Sequence, residues 1–323
     1  MMLGKTAGGL FWMFRYLERA ENTARLLEAG WRIALTSSDD EGENEWESVI
    51  TTAGIKPGYE ARHDSYDAEN VIDYLLRDQG NPSSVMSCIA AARSNGRLVR
   101  TALSSEVWEA TNETWMVLKK ALARPVSERQ LHETLMLVRN RSSMVRGALH
   151  GTMLRNEPYN FSRIGTFSFS HIGTYVERAD NTARILDVKY YVLLPSMAHV
   201  GGSIDNVQWD VILRSVSAAR SYRWLNGGEM SPLSIADFLI LDLRMPRSLA
   251  FCQLKIGESL ARLEQNYGQR HPCHDLARRN AERLEEVAIE MIFDEGVHEF
   301  LRACINDNAT LAGQIQADYR FNE

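Results

Sequence analysis

Glu18, Asn22 and Arg25 bring an acid, an amide and a base onto one side of a helix. At about 100° per residue they fall within about 60° of one another, with Arg15 beside them and Arg19 at the flank. A carboxylate so placed can orient arginines, meet an amine or act as a general acid or base. The planar fork of an arginine in turn suits a carboxylate ligand. The chain carries this set twice. Residues 16–28 read YLERAENTARLLE and residues 175–187 read YVERADNTARILD, so Glu177, Arg178, Asn181 and Arg184 each follow their first-copy counterparts by 159 residues. Glu21 with Arg25, and Asp180 with Arg184, are acid-to-base pairs four residues apart. The copies differ at one charged position: Thr174 stands where the first copy has Arg15.

A solvated face laced with ion pairs accounts for most patterns of this kind, but such a face is free to vary between two copies. Here it is repeated almost letter for letter, including an Asn and a Thr that are poor helix formers. Two explanations remain. Either the face is buried as a polar network between two halves, where each group needs a partner, or it lines a site; the same residue types serve both.

The elements that must carry these residues are helical. From residue 7 to about 35, Met13, Leu17, Ala20, Ala24, Leu27 and Trp31 recur at spacings of three and four. An acidic, Gly-containing loop at 37–42 is expected to end that helix, and a short helix follows at 46–53, broken by the glycines and proline of 54–58. Ser65 or Asp67 can cap a third helix through Leu76. Ser83 or Ser84 caps a long segment with a break expected near 108–112, and Ser127 opens a last helix to about 154. The second half repeats the order. Trp209 answers Trp46; Pro246, Ser248 and Cys252 follow Pro82, Ser84 and Cys88 by 164; His298 follows His132 by 166. The runs 211–213 and 238–243 look β-like, yet each sits inside a helical pattern. The expected fold is all-α, an internally duplicated helical bundle of roughly ten to twelve helices. Its halves, 1–157 and 158–323, would be related by a pseudo-twofold axis, as two domains or one merged bundle.

A chain of 323 residues needs no staples to hold its core. A net charge of −6 with both signs dispersed gives no footprint for nucleic acid and no polybasic segment for an anionic membrane. Four cysteines without a Cys-x-x-Cys pair read as reduced thiols. With no signal-peptide core and no run approaching the ~20 apolar residues of a membrane span, the expected location is the cytoplasm.

The two Glu-Arg-Ala-(Glu/Asp)-Asn-Thr-Ala-Arg segments, with the opening LGKTAGGLFWMFRYL, closely resemble the bacterial alpha-E family over essentially the full length. Its helical proteins are named for a recurring Glu-Arg motif. The resemblance carries over Glu18-Arg19 and Glu177-Arg178 as the signature. It brings no established reaction and leaves the cofactor unknown. Members look like partners of circularly permuted ATP-grasp ligases and transglutaminase-like peptidases, which implies a system that makes or trims a peptide or amide bond. On that reading the chain is an accessory protein whose Glu/Arg faces dock a partner or hold a peptide or other carboxylate ligand. Arg19, Arg25, Arg178 and Arg184 would bind anions, while Glu18 and Glu177 orient them or meet an amine. The alternatives are an enzyme in which Glu18 or Glu177, its pKa raised by burial, is the general acid or base, and a metal-binding bundle.

Other constellations carry less. Gly4-Lys5-Thr6 ends like a phosphate loop but has no preceding strand and reads as a flexible lead-in. Glu295 and His298 have the spacing of a carboxylate-bundle metal pair, yet Arg129 stands where the first half would need the Glu, so the ligand set is not doubled. His132 and His298 read as packing or capping residues near helix starts. The 271–274 cluster of His, Pro, Cys and His reads as a loop without a second ligand pair, and Cys88 and Cys252 as small buried hydrophobes.

Overall fold

In the computed structural model, which describes residues 2–35, 42–154, 165–191, 203–227 and 230–323, the described residues form fifteen α-helices and no strand. The first eight are α1 (Gly4–Ala34), α2 (Gly42–Thr52), α3 (Lys56–Glu60), α4 (Ala68–Leu76), α5 (Val85–Leu98), α6 (Ser105–Ala121), α7 (Glu128–Thr152) and α8 (Thr166–Tyr191). There follow α9 (Ser203–Ser215), α10 (Ala219–Asn226), α11 (Pro232–Ile240), α12 (Leu249–Tyr267), α13 (Pro272–Glu286), α14 (Ile289–Glu295) and α15 (Val297–Asp318).

The two motif helices lie at the centre. α1 packs against α8 and also against α2, α5, α7 and α9, while α8 packs against α2, α12 and α15. The spacing of three and four that marked α1 is its core stripe: Met13, Leu17, Ala20, Ala24 and Leu27 are buried, joined by Leu10 and Phe14. Phe169, Ile172, Val176, Ala179, Ala183 and Leu186 do the same for α8. Each large side chain so enclosed contributes roughly 1.5–3 kcal/mol. The helices approach closely at Gly173, where a Cβ would fall 2.2 Å from the backbone oxygen of Phe11.

More helices form than the expected ten to twelve because the breaks themselves fold. Pro57 falls in the first turn of α3, where a missing N–H costs nothing, so the stretch expected only to interrupt starts a new helix. The caps hold at Asp67, Ser84 and Ser248, whose side chains accept from Asn70, Ser87 and Phe251 backbone N–H groups. The break expected at 108–112 lies earlier. α5 ends at Leu98, a 3-10 turn spans Arg100–Ala102, and Ser104 caps α6, which runs straight through Trp108 and Asn112. The β-like run at 211–213 is inside α9. Residues 238–240 end α11, which Ser231 and Pro232 start as a helix. Lys5 and Thr6 belong to the first turn of α1 rather than to a flexible lead-in. Residues 271–274 are the start of α13, with His271 and His274 forming a reciprocal cap, rather than a loop. The acidic loop expected at 37–42 lies almost wholly outside the described residues.

Candidate functional site

The faces that repeat in sequence meet one another across the contact of α1 and α8. Arg178 grips Glu18 with Nε on Oε1 at 2.9 Å and Nη2 on Oε2 at 3.1 Å. Arg19 grips Glu177 in the same way, at 2.5 and 2.9 Å. Each Glu-Arg pair of one helix therefore binds the Glu-Arg pair of the other through two bidentate forks, the strong geometry for this ion pair. Glu18 also accepts from Arg146 on α7 at 3.3 Å and from Arg247, just before α12, at 2.8 Å. Glu177 accepts from Arg15 at 2.9 Å. The pairs expected four residues apart are present. Arg25 binds Glu21 and reaches Ser217, and Arg184 binds Asp180 through both carboxylate oxygens. Glu21 further pairs with Arg146 and Arg247.

Burial alone would push these carboxyls up. For Glu18 it is outweighed by Arg178, Arg247 and Arg146, and for Glu177 by Arg19 and Arg15, so both are held below the ordinary range. Glu21 is also held down: burial and Glu18 raise it, but Arg247, Arg146 and Arg25 prevail. Where a raised pKa was expected of a general acid or base, the arginine forks hold both carboxylates ionised. Glu18, Glu177 and Arg178 are also buried between helices.

A carboxyl lowered in the folded state contributes stability that is complete above its unfolded pKa, about 4.3, and lost as pH falls through the folded value. Urea midpoints should be flat from pH 7 to about 5 and fall steeply below about 4. A midpoint unchanged at pH 3 would show that the forks contribute no stability.

Beside the forks lies a cavity of about 210 Å³. Its walls are Arg19, Asn22 and Thr23 of α1 and Glu177, Asp180, Asn181 and Arg184 of α8, with Ser83 and the turn at Gly54 closing it. Gly54 has φ +71°, a left-handed conformation that favours glycine, and a Cβ there would press on Nη1 of Arg184 at 3.1 Å. Several polar groups on the wall are unspent. Nη1 of Arg19 and of Arg184 make no hydrogen bond among the described residues, nor does the side chain of Asn181. Asn22, 4 % exposed, accepts from Arg247 through Oδ1 but leaves Nδ2 without an acceptor.

Of the nine candidate binding residues, the structure brings Arg19, Asn22, Glu177, Asn181 and Arg184 to this cavity. Arg15, Glu18, Arg25 and Arg178 hold the ion-pair network around it. Sequence reasoning missed Arg146, Arg247, Ser83 and Gly54, which come from other elements. The available signal was a basic residue at 247, inside the otherwise matched 246–248 and 82–84 stretches. His132 lies 3.5 Å from Glu28 and His298 2.5 Å from Asp187, so each histidine faces the acid that ends a motif. Cys88 and Cys252 are buried, and burial pushes both thiols up to about 12, consistent with inert packing groups. No cluster of three His, Cys, Asp or Glu side chains suited to a metal occurs among the described residues.

Residues 2–319 match the model of the Alpha-E family, described as a predicted alpha-helical domain with a conserved ER motif. The chain belongs to the Alpha-E family. Two Glu-Arg dipeptides of this Alpha-E chain, Glu18-Arg19 and Glu177-Arg178, clasp each other between α1 and α8. The chain is similar to an uncharacterised protein of Mycobacterium bovis, 25% identical over 91% of this chain and 35% of the relative. Two uncharacterised Mycobacterium tuberculosis proteins match at 25% and 24% identity, with the same coverage. The chain thus spans about a third of the length of these relatives. No solved structure matches it. Among the described residues of this Alpha-E chain, no helix is long and apolar enough to cross a membrane.

Proposed function

We propose that the chain is a duplicated helical binding module, with halves 1–157 and 158–323 related by an approximate twofold axis and clasped by the Glu-Arg forks. Its cavity beside the clasp holds the charged group of a small ligand or peptide. The reciprocal forks support the duplication, as do the matched His132–Glu28 and His298–Asp187 pairs. The observation that carries the binding reading is the cavity itself, walled by the charged side chains of Arg19, Glu177, Asp180 and Arg184 and by Asn22 and Asn181, whose buried Nδ2 groups have no acceptor among the described residues. A buried network that was only structural would satisfy those two amides.

The module serves a circularly permuted ATP-grasp ligase and a transglutaminase-like peptidase, presenting or retaining a component of peptide or amide-bond chemistry in the cytoplasm. Four free cysteines fit that reducing setting. The test is reconstitution: ATP turnover by such a ligase, measured with and without the chain. Wild type is expected to raise turnover severalfold, and Asn181→Leu, which narrows the cavity without breaking a hydrogen bond, to raise it little. Equal turnover with and without the chain overturns the accessory role.

A further inference from the structure

The clasp has two sides, and one of them is already filled. Arg247 lies between Pro246 and Ser248, and Ser83 between Pro82 and Ser84. The backbone places the two positions equivalently: Thr182 Oγ1 donates to the Arg247 carbonyl at 2.8 Å, and its counterpart Thr23 to the Ser83 carbonyl at 3.5 Å. Ser84 and Ser248 each cap the helix that follows. From position 247 a guanidinium enters the network. Its Nη1 meets Glu18 Oε1 at 2.8 Å and Asn22 Oδ1 at 3.0 Å, and its Nη2 meets Glu21 Oε1 at 3.0 Å.

The residues that match these three acceptors are Glu177, Asn181 and Asp180, and all of them line the cavity. Ser83 is too short to reach them with a cation. The other partners have equivalents: Arg178 by Arg19, Arg25 by Arg184, and Arg146 on Glu18 Oε2 by Arg15 on Glu177 Oε2. Among the described residues only the role of Arg247 has no occupant: Glu18 and Glu21 together face four arginines, Glu177 and Asp180 three.

Resting on the cavity as a binding site, we propose that it takes a guanidinium group of a small ligand or peptide, seated against Glu177, Asn181 and Asp180 as Arg247 is seated against Glu18, Asn22 and Glu21. A planar fork with several donors matches acceptors spread over three side chains better than a point-charge ammonium does. The occupied side also shows the electrostatic demand. Burial outweighs the help of Glu18 and pushes Arg247 down to about 10. A guanidinium stays fully charged at neutral pH under such a shift.

The test is titration calorimetry of the intact chain with agmatine, butylamine and succinate as probes, on wild type, Ser83→Arg and Asn181→Leu. Ser83→Arg places in the cavity the side chain that its counterpart already holds. Agmatine is expected to bind wild type one to one, at least tenfold more tightly than butylamine, and each variant at least tenfold more weakly. Asn181→Leu keeps the test valid if Ser83→Arg misfolds. Agmatine that fails to bind, or that binds both variants like wild type, overturns the proposal. If succinate binds and is lost in the variants while agmatine does not bind, the guanidinium assignment falls but the cavity stands as an anion site. Binding of none of the three removes the support for the cavity as a ligand site as well.

Discussion

Replacing Glu18 by Gln is expected to lower the unfolding free energy by about 3–5 kcal/mol, the usual cost of leaving buried ionic partners uncompensated. The carboxylate is 1 % exposed, and around it stand Arg178, Arg247 and Arg146. The amide keeps the shape and one acceptor oxygen but none of the charge. Arg146 and Arg247 would then share the carboxylate of Glu21 with Arg25, and Arg178 would keep only the Pro246 carbonyl among the described residues. Glu177→Gln has the same chemistry and a smaller effect, about 1–2 kcal/mol, because its partners Arg15 and Arg19 keep 14% and 28% of their side-chain surface in water and can rehydrate. Urea unfolding of the two single variants measures both values. Equal and negligible losses would mean that the forks are not what joins α1 to α8. A docking role for the motif predicts that outcome, because a surface used only for a partner contributes little to the isolated fold. The difference between the two variants also reports the asymmetry on which the guanidinium site depends, since the side with the extra arginine is the one that cannot tolerate loss of its acid.

Much of this was legible in the chain. The repeated segment showed the two central helices and their apolar stripes, and the internal Glu21–Arg25 and Asp180–Arg184 pairs followed from spacing alone. Asp67, Ser84 and Ser248 cap because short polar side chains satisfy free N–H groups at helix starts. The same rule would have placed the α5–α6 break at Ser104 instead of near Asn112. The repeated face divides between a buried network and a cavity wall. Glu18, Glu177 and Arg178 are buried in the clasp, while Arg19, Asn181 and Arg184 turn to the cavity, which Glu177 also lines. Helix periodicity could not separate these roles, because it orders residues around one helix and says nothing about which neighbour covers them. Arg146 and Arg247 come from elements more than 120 residues away from Glu18, and no local pattern predicts such contacts. The asymmetry between Ser83 and Arg247 was written in the sequence, but its meaning depends on where the matched backbones bring the two side chains.

The clasp requires α1 and α8 to touch, and that contact turns on one residue. Gly173→Ala is expected to cost about 3 kcal/mol or more, above the common 1–3 kcal/mol for an oversized core side chain. The new Cβ would stand 2.2 Å from the Phe11 carbonyl oxygen and 3.0 Å from its carbon. These are backbone atoms inside a helix, with no rotamer to yield, so relief comes only from moving one helix off the other. Glu177 and Arg178 sit one turn along α8 from the clash, and the displacement passes directly into both forks. The same exchange at Gly147, inside α7 with nothing within 4 Å of the added atom, should instead stabilise by up to about 1 kcal/mol, because alanine favours the helix. Thermal and urea unfolding of the two variants thus separate crowding at the helix crossing from helix propensity. If both alanines raise the melting temperature, α1 and α8 have room to spare, and the close approach is not what sets the fork geometry.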